Sequence, residues 1–530
     1  MQSVLLIDLE GGYVKHATRR QRWLVVAVLC LAVFLVVVDN TIVNVALPTL
    51  SRDLHASNSS LQWIVDGYSL PFAALLLAGA GLSDRLGRKR VILIGLFGFA
   101  VFSLLASTSQ NIETLLAGRA MMGISAAFIF PATLSIMTVV FDDRRERAKA
   151  FGVWGATTGI AIALGPIAGG FLITHFWYGS IFLVNVPLAL VAIVAIALVV
   201  PESKSAGHHR LDVIGLLIGT AGLTALVVAI IQGPSWGWRS YAVVSMFVMA
   251  IGFLTWFTLH ELRTTEPLMD VRIFANGEYS AGAGAIAINF FCLFGFIFLV
   301  TQYFQLVRGY SALSAGVHTL PFALVVMVAT PLSAFAALRV GTRFVVSTGL
   351  LITAFAMGWV ATLSAHAQYV GPVLASMVTL ALGFSLVNAP STAATMETLS
   401  PSQVGGGAAG NEITRELGGT LGVAVIGSVF SSVFGPAIHF ALEPFRVHGL
   451  TAAQISVAQS SMWATRRTVA HFPPSLQSSV GRDATTAFMH GLHRASVVGA
   501  GVALLTAVVV FFYLPSLRGS NEPTPALEAR

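Results

Sequence analysis

The chain is expected to be an all-α integral membrane protein, and three observations predict it. Hydrophobic residues fill 56% of its 530 positions and charged residues only 10%, against about 25% charge in a soluble domain. Apolar runs of roughly 20 residues recur along its whole length, each long enough to cross a hydrocarbon core of about 30 Å as a helix. Basic residues gather in alternate connections between those runs, as they do in chains that cross a bilayer repeatedly. A large soluble core does not need so many uncharged runs of that length.

Helices are expected at 23–48, 61–81, 91–109, 112–138, 150–174, 180–200, 213–232, 241–260, 281–304, 315–338, 344–364, 370–393, 404–433 and 486–514, about fourteen spans. The first 22 residues are polar and end in HATRRQR. They lack a short apolar core followed by a small-residue cleavage site, so no cleavable signal peptide is expected. Basic clusters at Arg19–Arg22, Arg85–Arg90 and Arg144–Lys149 lie on the side of the amino terminus, while the short loops opposite hold only Arg52, Arg239 and Arg308. Basic residues accumulate on the cytoplasmic face, so both termini are expected inside. The net charge of +7 then reflects topology and contact with anionic lipid and does not point to nucleic acid. Cys30 and Cys292 fall inside apolar runs; they read as inert packing residues, with no disulfide framework.

An internal repeat is visible between DRLGRKRVILIG (84–95) and LRVGTRFVVSTG (338–349). Arg85 falls on Arg339, Gly87 on Gly341, Lys89 on Arg343 and Gly95 on Gly349. Both segments join the second and third helices of a six-helix block, so the blocks are spans 1–6 and 9–14. The expected division is a cytoplasmic tail 1–22, a six-helix bundle 23–200, a linker 201–212 and two inserted helices 213–260. A linker 261–280, a second six-helix bundle 281–514 with a long external loop 434–485, and a cytoplasmic tail 515–530 complete it. The external loop reads as a variable connection, a substrate-access cap or a partner surface.

Four groups of residues carry chemistry. In span 1, VVVDNTIVNVALP places Asp39 inside an apolar run, beside Asn40 and Asn44. A charge at mid-span costs roughly 2.5–3.5 kcal/mol on insertion scales, so it needs a partner or a protonated state. Asp66 in span 2 and Arg119 in span 4 raise the same question. At 1.5 Å per residue all three sit roughly 8–13 Å below the outer surface, so two carboxylates and a guanidinium at similar depth are expected to form one site.

The connection after span 2 reads GAGLSDRLGRKR. Gly79 permits close helix approach, and Asp84 with Arg85, Gly87, Arg88 and Lys89 makes a charged cytoplasmic gate; the plainer alternative is positive-inside anchoring. Span 5 carries Gly155, Gly159 and Ala163 at spacings of four, then Gly165, Pro166, Gly169 and Gly170. One face is bare, and the proline removes a backbone donor and favours a bend. This suits a sliding interface between bundles, the alternative being static small-residue packing. In span 13, Glu412, Arg415 and Glu416 lie at i, i+3 and i+4 on one face. They form either a self-neutralised knot or a cavity charge that binds a cation or a proton.

Zinc-ligand spacing, a nucleophile elbow and a phosphate loop are all missing from the sequence, so no enzyme is expected. A non-transporting sensor would need a soluble effector domain.

Taken in order, these segments resemble the fourteen-span drug:proton antiporter family of the major facilitator superfamily, the EmrB/QacA type. VDNTIVNVALP and WIVDGYSL (63–70) resemble its first two spans, and GLSDRLGRKR its loop 2–3 motif. The GP-xx-GG of span 5 resembles its antiporter motif, and FLVNVPLAL (182–190), YFQLVRGYSALSAG (303–316) and GNEITRELGGTLG (410–422) resemble further segments. The chain departs from the span-4 pattern Arg-x-x-Gln-Gly-x-Gly, with Met122 and Ser125 where Gln and the second Gly would stand. The resemblance implies a multi-pass transporter of the bacterial plasma (inner) membrane that exports lipophilic, cationic drugs in exchange for protons by alternating access. It implies no cofactor and no metal, only the proton gradient, and an adaptor protein if the host has an outer membrane. A dedicated exporter of one antibiotic or metabolite, and a proton-coupled importer, are the alternatives.

Overall fold

The computed structural model describes residues 18–514, apart from 142, 205–211, 266, 268–270, 399–403 and 471. Some helical side chains also lie outside the described set, those of Asp84, Arg144, Arg145, Arg147 and Ala163 among them.

The first six long helices are α1 Arg19–Asp53, α2 Asn58–Leu86, α3 Arg88–Ser107, α4 Ile112–Val140, α5 Arg144–His175 and α6 Ser180–Val199, the last interrupted at Val184. An inserted hairpin follows, α7 Val213–Trp236 and α8 Tyr241–Arg263. The second six are α9 Gly277–Gln302, α10 Ala312–Val340, α11 Thr342–Val360, α12 Leu374–Glu397, α13 Val404–Leu442 and α14 Pro474–Tyr513. Thirteen of these helices are long and apolar enough to cross a membrane among the described residues. The remaining one, α2, has 29 residues, about 43 Å of helix, and matches the expected second span.

Local chemistry sets the helix ends. Thr18 accepts from the Gln21 backbone while the Gln21 side chain accepts from the Thr18 backbone, a reciprocal cap that starts α1. Gly87 separates α2 from α3 at φ 108°, ψ 128°, and Gly341 separates α10 from α11 at φ 98°, ψ 143°. These are the two glycines that the repeat superposes, in the same left-handed turn.

Helix packing repeats with the same offset. The pairs α1·α5, α2·α4, α3·α4 and α3·α6 in the first bundle recur as α9·α13, α10·α12, α11·α12 and α11·α14 in the second. The bundles meet through α2·α13 and α5·α10, which the repeat exchanges with each other. The hairpin lies against one of these seams. Ser59 of α2 donates to Gln232 of α7 at 3.2 Å, Ser428 of α13 to Ile230 O at 2.5 Å, and Trp238 Nε1 to Ser432 at 3.3 Å. On α8, Val248, Ile251 and Trp256 are exposed, as suits a lipid-facing helix.

The segment 434–485 is largely helical. Phe430, Phe434, Ile438 and Leu442 are buried at spacings of four, so the core-facing stripe of α13 continues well past residue 433. A 3₁₀ turn, Glu443–His448, and two short helices, Ala452–Ala458 and Met462–Thr468, come before α14. This segment fastens the second bundle to the first. Asn58 N donates to Ser460 O at 2.9 Å, the Ser51 and Ser461 hydroxyls are 3.3 Å apart, and Arg467 approaches the His55 ring at 2.8 Å. Nearby, Gln305 Nε2 donates to Val45 O at 2.8 Å. These contacts lie at the end opposite the basic connections. Towards the basic end of α5, a methyl group on Gly155 or Gly159 would meet nothing within 4 Å.

Candidate functional site

Asp39 and Arg119 meet. Arg119 Nη1 lies 2.5 Å from Asp39 Oδ2, and neither side chain is exposed at all. Five helices build this centre inside the first bundle. Arg119 on α4 also donates through Nε to Ile64 O of α2 at 3.0 Å. Its guanidinium stands 4.4 Å from the Tyr68 ring centroid and 6.0 Å from that of Phe182, so aromatic faces share the solvation of the charge. Tyr68 in turn donates to Val36 O of α1 at 3.2 Å. Asn185 on α6 donates to Asp39 Oδ1 at 2.7 Å and to Ser103 Oγ of α3 at 3.3 Å. Arg119 Nη2 has no hydrogen-bond partner among the described residues. A buried pair of this kind is tolerated because each ion is matched by the other and by further donors or acceptors.

Asp66 does not join them. It is fully buried, and neither of its oxygens has a hydrogen-bond partner among the described residues. Its neighbours a turn away show where it faces. Gln62 Nε2 donates to Ala424 O of α13 at 3.5 Å, and Leu70 packs with Ala424 and with Val227 and Ile231 of α7. The single three-residue site expected from depth is therefore corrected to two places. Depth fixes height along a helix but not direction around it, and Asp66 stands two residues, about 200°, from both Ile64 and Tyr68.

On α13, Arg415 Nη1 lies 3.4 Å from Glu412 Oε2, Arg415 Nη2 donates to Thr392 at 3.1 Å, and the guanidinium sits 5.6 Å from the Phe290 ring. Phe290 stacks on Phe294 at 6.2 Å and meets Phe384 edge-on at 5.3 Å. Glu416 is half-buried and makes no ion pair among the described residues. Glu416, Thr420 and Ala424 share one stripe of α13, and Ala424 turns that stripe toward α2.

The loop between α2 and α3 meets an acid from outside the motif. Glu202, just past α6, accepts from Lys89 N at 3.1 Å and pairs with Arg90 at 3.7 Å, while Lys89 Nζ donates to Ala197 O at 2.7 Å. The signal was there as PESK after the sixth span, an acid among basic connections. The side chain of Asp84 lies outside the described residues. Gly79 abuts the Ala127 backbone of α4, within its own bundle.

The bare face of α5 divides three ways. Gly165 and Gly169 abut Thr41 and Ile42 of α1, and Gly170 abuts Ala312 and Leu313 of α10. The Pro166 carbonyl lies against Gly316 of α10. Gly155 and Gly159 face open space, and the helix runs on through Pro166.

The sequence profile of the Major Facilitator Superfamily matches residues 29–423. The chain belongs to the major facilitator superfamily. Among curated members it is 33% identical over 502 residues to the multidrug efflux pump LfrA of Mycolicibacterium smegmatis, covering 95% of this chain and 98% of that one. It is 30% identical over 527 residues to the tetracenomycin C resistance and export protein of Streptomyces glaucescens, covering 96% of each. It is 32% identical over 508 residues to the methyl viologen resistance protein SmvA of Salmonella typhimurium, covering 93% and 98%. A bacterial homolog of the human lysosomal transporter Spinster, in an inward-facing and unoccupied conformation, matches with a TM-score of 0.63 at 17% identity, over 94% of this chain and 100% of that one. That likeness shows the major facilitator fold: two six-helix bundles, here with two inserted helices.

Proposed function

We propose that this major facilitator protein exports lipophilic, cationic compounds from the cell in exchange for protons. The fully buried Asp39–Arg119 pair carries this reading. Burial out of water favours the neutral form of a carboxyl group, and an adjacent guanidinium favours the charged form. Asp39 stands under both influences, so a proton taken up there releases Arg119 and a proton given up recaptures it. Two bundles rocking about a central cavity then couple that exchange to alternating access. The bundles are fastened at the end opposite the basic loops, which corresponds to a state closed to the outside if those loops are cytoplasmic.

The relatives named for multidrug efflux and methyl viologen resistance support the substrate class. Residue types support it too: Asp66, Glu412 and Glu416 are acids within helices, and the Phe290 ring already holds a cation, the Arg415 guanidinium, at 5.6 Å. The site is in the bacterial plasma membrane with both termini cytoplasmic, the proton gradient supplies the energy, and lipids are the standing partners. A dedicated exporter of one antibiotic is the second reading, favoured by relatives named for tetracenomycin C and puromycin.

The test is dye and antibiotic transport in inside-out vesicles energised by a proton gradient. Uptake that a protonophore abolishes, and that Asp39→Asn and Arg119→Ala each reduce at least tenfold, is expected. Transport indifferent to the protonophore, or unchanged in both Asp39→Asn and Asp66→Asn, overturns the reading. A panel of cationic and neutral substrates separates the broad pump from the dedicated one.

A further inference from the structure

We infer that Asn185 is the positioning residue for Asp39: it holds the carboxyl group in one orientation through both protonation states, while Arg119 is the partner that lets go. The inference rests on the proton-exchange reading above.

The two oxygens of Asp39 have different donors. Oδ2 receives Arg119 Nη1 at 2.5 Å, and Oδ1 receives Asn185 Nδ2 at 2.7 Å. An amide N–H already points at Oδ1, so an arriving proton settles on Oδ2 and takes the place of the guanidinium. Oδ1 is then the carbonyl oxygen of a neutral acid. It still accepts from an amide, whereas the charge that held Arg119 has gone. The amide bond survives the step that breaks the ion pair.

Asn185 is held through its amide nitrogen and by burial, its Oδ1 having no hydrogen-bond partner among the described residues. It is fully buried and opens the second part of α6, directly after the interruption at Val184. Its Nδ2 also reaches Ser103 Oγ at 3.3 Å, and the Ser103 hydroxyl points at the Met122 sulfur at 3.6 Å. Met122 is a thioether and donates nothing, so the neutral donor to Asp39 comes from α6 and not from the helix of Arg119. The charged or titratable groups facing Asp39 are Arg119 from α4 and Tyr68 from α2. α6 brings it Asn185, which also bonds Ser103 of α3, and α5, α9 and α10 show no ion pair to it among the described residues.

The experiment compares Asn185→Ala and Asn185→Gln in the full-length protein reconstituted in lipid. Infrared difference spectra are titrated with pH to follow the carbonyl band of the protonated acid, assigned by its loss in Asp39→Asn. A hydrogen bond to the charged form favours that form. Its removal therefore moves the titration in Asn185→Ala upward by about one to two pH units. The pH profile of efflux is expected to follow, with kcat reduced and the dye KM little changed, and Asn185→Gln restores part of the shift. In the Asp39→Asn background, Asn185→Ala has no further effect on the pH profile.

A band that titrates at the same pH in Asn185→Ala and wild type overturns the inference. So does an Asn185→Ala effect of equal size with and without Asp39. If the alanine variant does not accumulate, Asn185→Ser replaces it, since its hydroxyl stops short of Oδ1 and the same upward shift is expected. If the wild type shows no proton-driven efflux, the exchange reading falls, while the infrared titration still reports whether Asn185 governs Asp39.

Discussion

Arg119 and Asp39, 80 positions apart in the chain, share a hydrogen-bonded ion pair with no exposed surface on either side chain. Removing one member strands the other fully buried and unpaired, which costs about 3–5 kcal/mol. Asp39→Ala and Arg119→Ala are each expected to lower the unfolding temperature in detergent sharply. The double variant, which leaves no orphan charge, is expected to be more stable than either single one, although it too fails to transport. Equal or additive losses would sink this account of the pair.

Asp66 predicts the opposite pattern. Its oxygens have no hydrogen-bond partner among the described residues, so Asp66→Asn removes no bond and relieves a buried acid. Its stability is expected to equal or exceed wild type. Its effect on efflux is expected to combine additively with that of Asp39→Asn, as independent sites do. A strong coupling energy between the two in a double-mutant cycle would place them in one site after all.

Ser51 and Ser461 bring their hydroxyls within 3.3 Å across the two bundles. Ser51→Cys with Ser461→Cys is expected to form a disulfide under mild oxidation. The crosslink holds that end shut, so transport stops on oxidation and returns on reduction. Full activity in the quantitatively crosslinked protein rules out a cycle in which that end opens.

Gly87 has φ 108°, a backbone conformation strained for any side chain, and a methyl group there would push aside the Glu202 carboxylate that lies 2.6 Å away. Gly87→Ala is expected to destabilise by about 1–2 kcal/mol and to weaken the bonds from Lys89 N and Arg90 to Glu202. Thermal unfolding together with Glu202→Gln checks this: the glutamine variant alone removes the Arg90 pair and leaves the turn unstrained.

Much of this architecture is legible along the chain because length and hydropathy decide it. The superposition of Gly87 on Gly341 reveals the repeat that the helix packing shows again, since a backbone at φ 108° or 98° strongly favours glycine. Depth arithmetic brought Asp39 level with Arg119. It failed for Asp66 because direction around a helix depends on how the helix is rotated in its bundle, which tertiary packing sets. Asn185 stands within FLVNVPLAL without a visible role, since a polar residue in an apolar run does not announce which carboxylate it meets 146 positions away. The helices of 434–485 are hidden in the sequence by polar patches and by prolines that read as breakers, although Pro436 lies within α13 and Pro474 starts α14.

The exchange of α2·α13 with α5·α10 under the repeat makes two equivalent edges where the bundles part. The hairpin α7–α8 lies along only the first, bonded to both of its helices. A solute dissolved in the hydrocarbon meets the α5·α10 edge directly, and meets the other only behind a shutter. A nearly twofold machine thus has a front and a back with respect to the lipid around it.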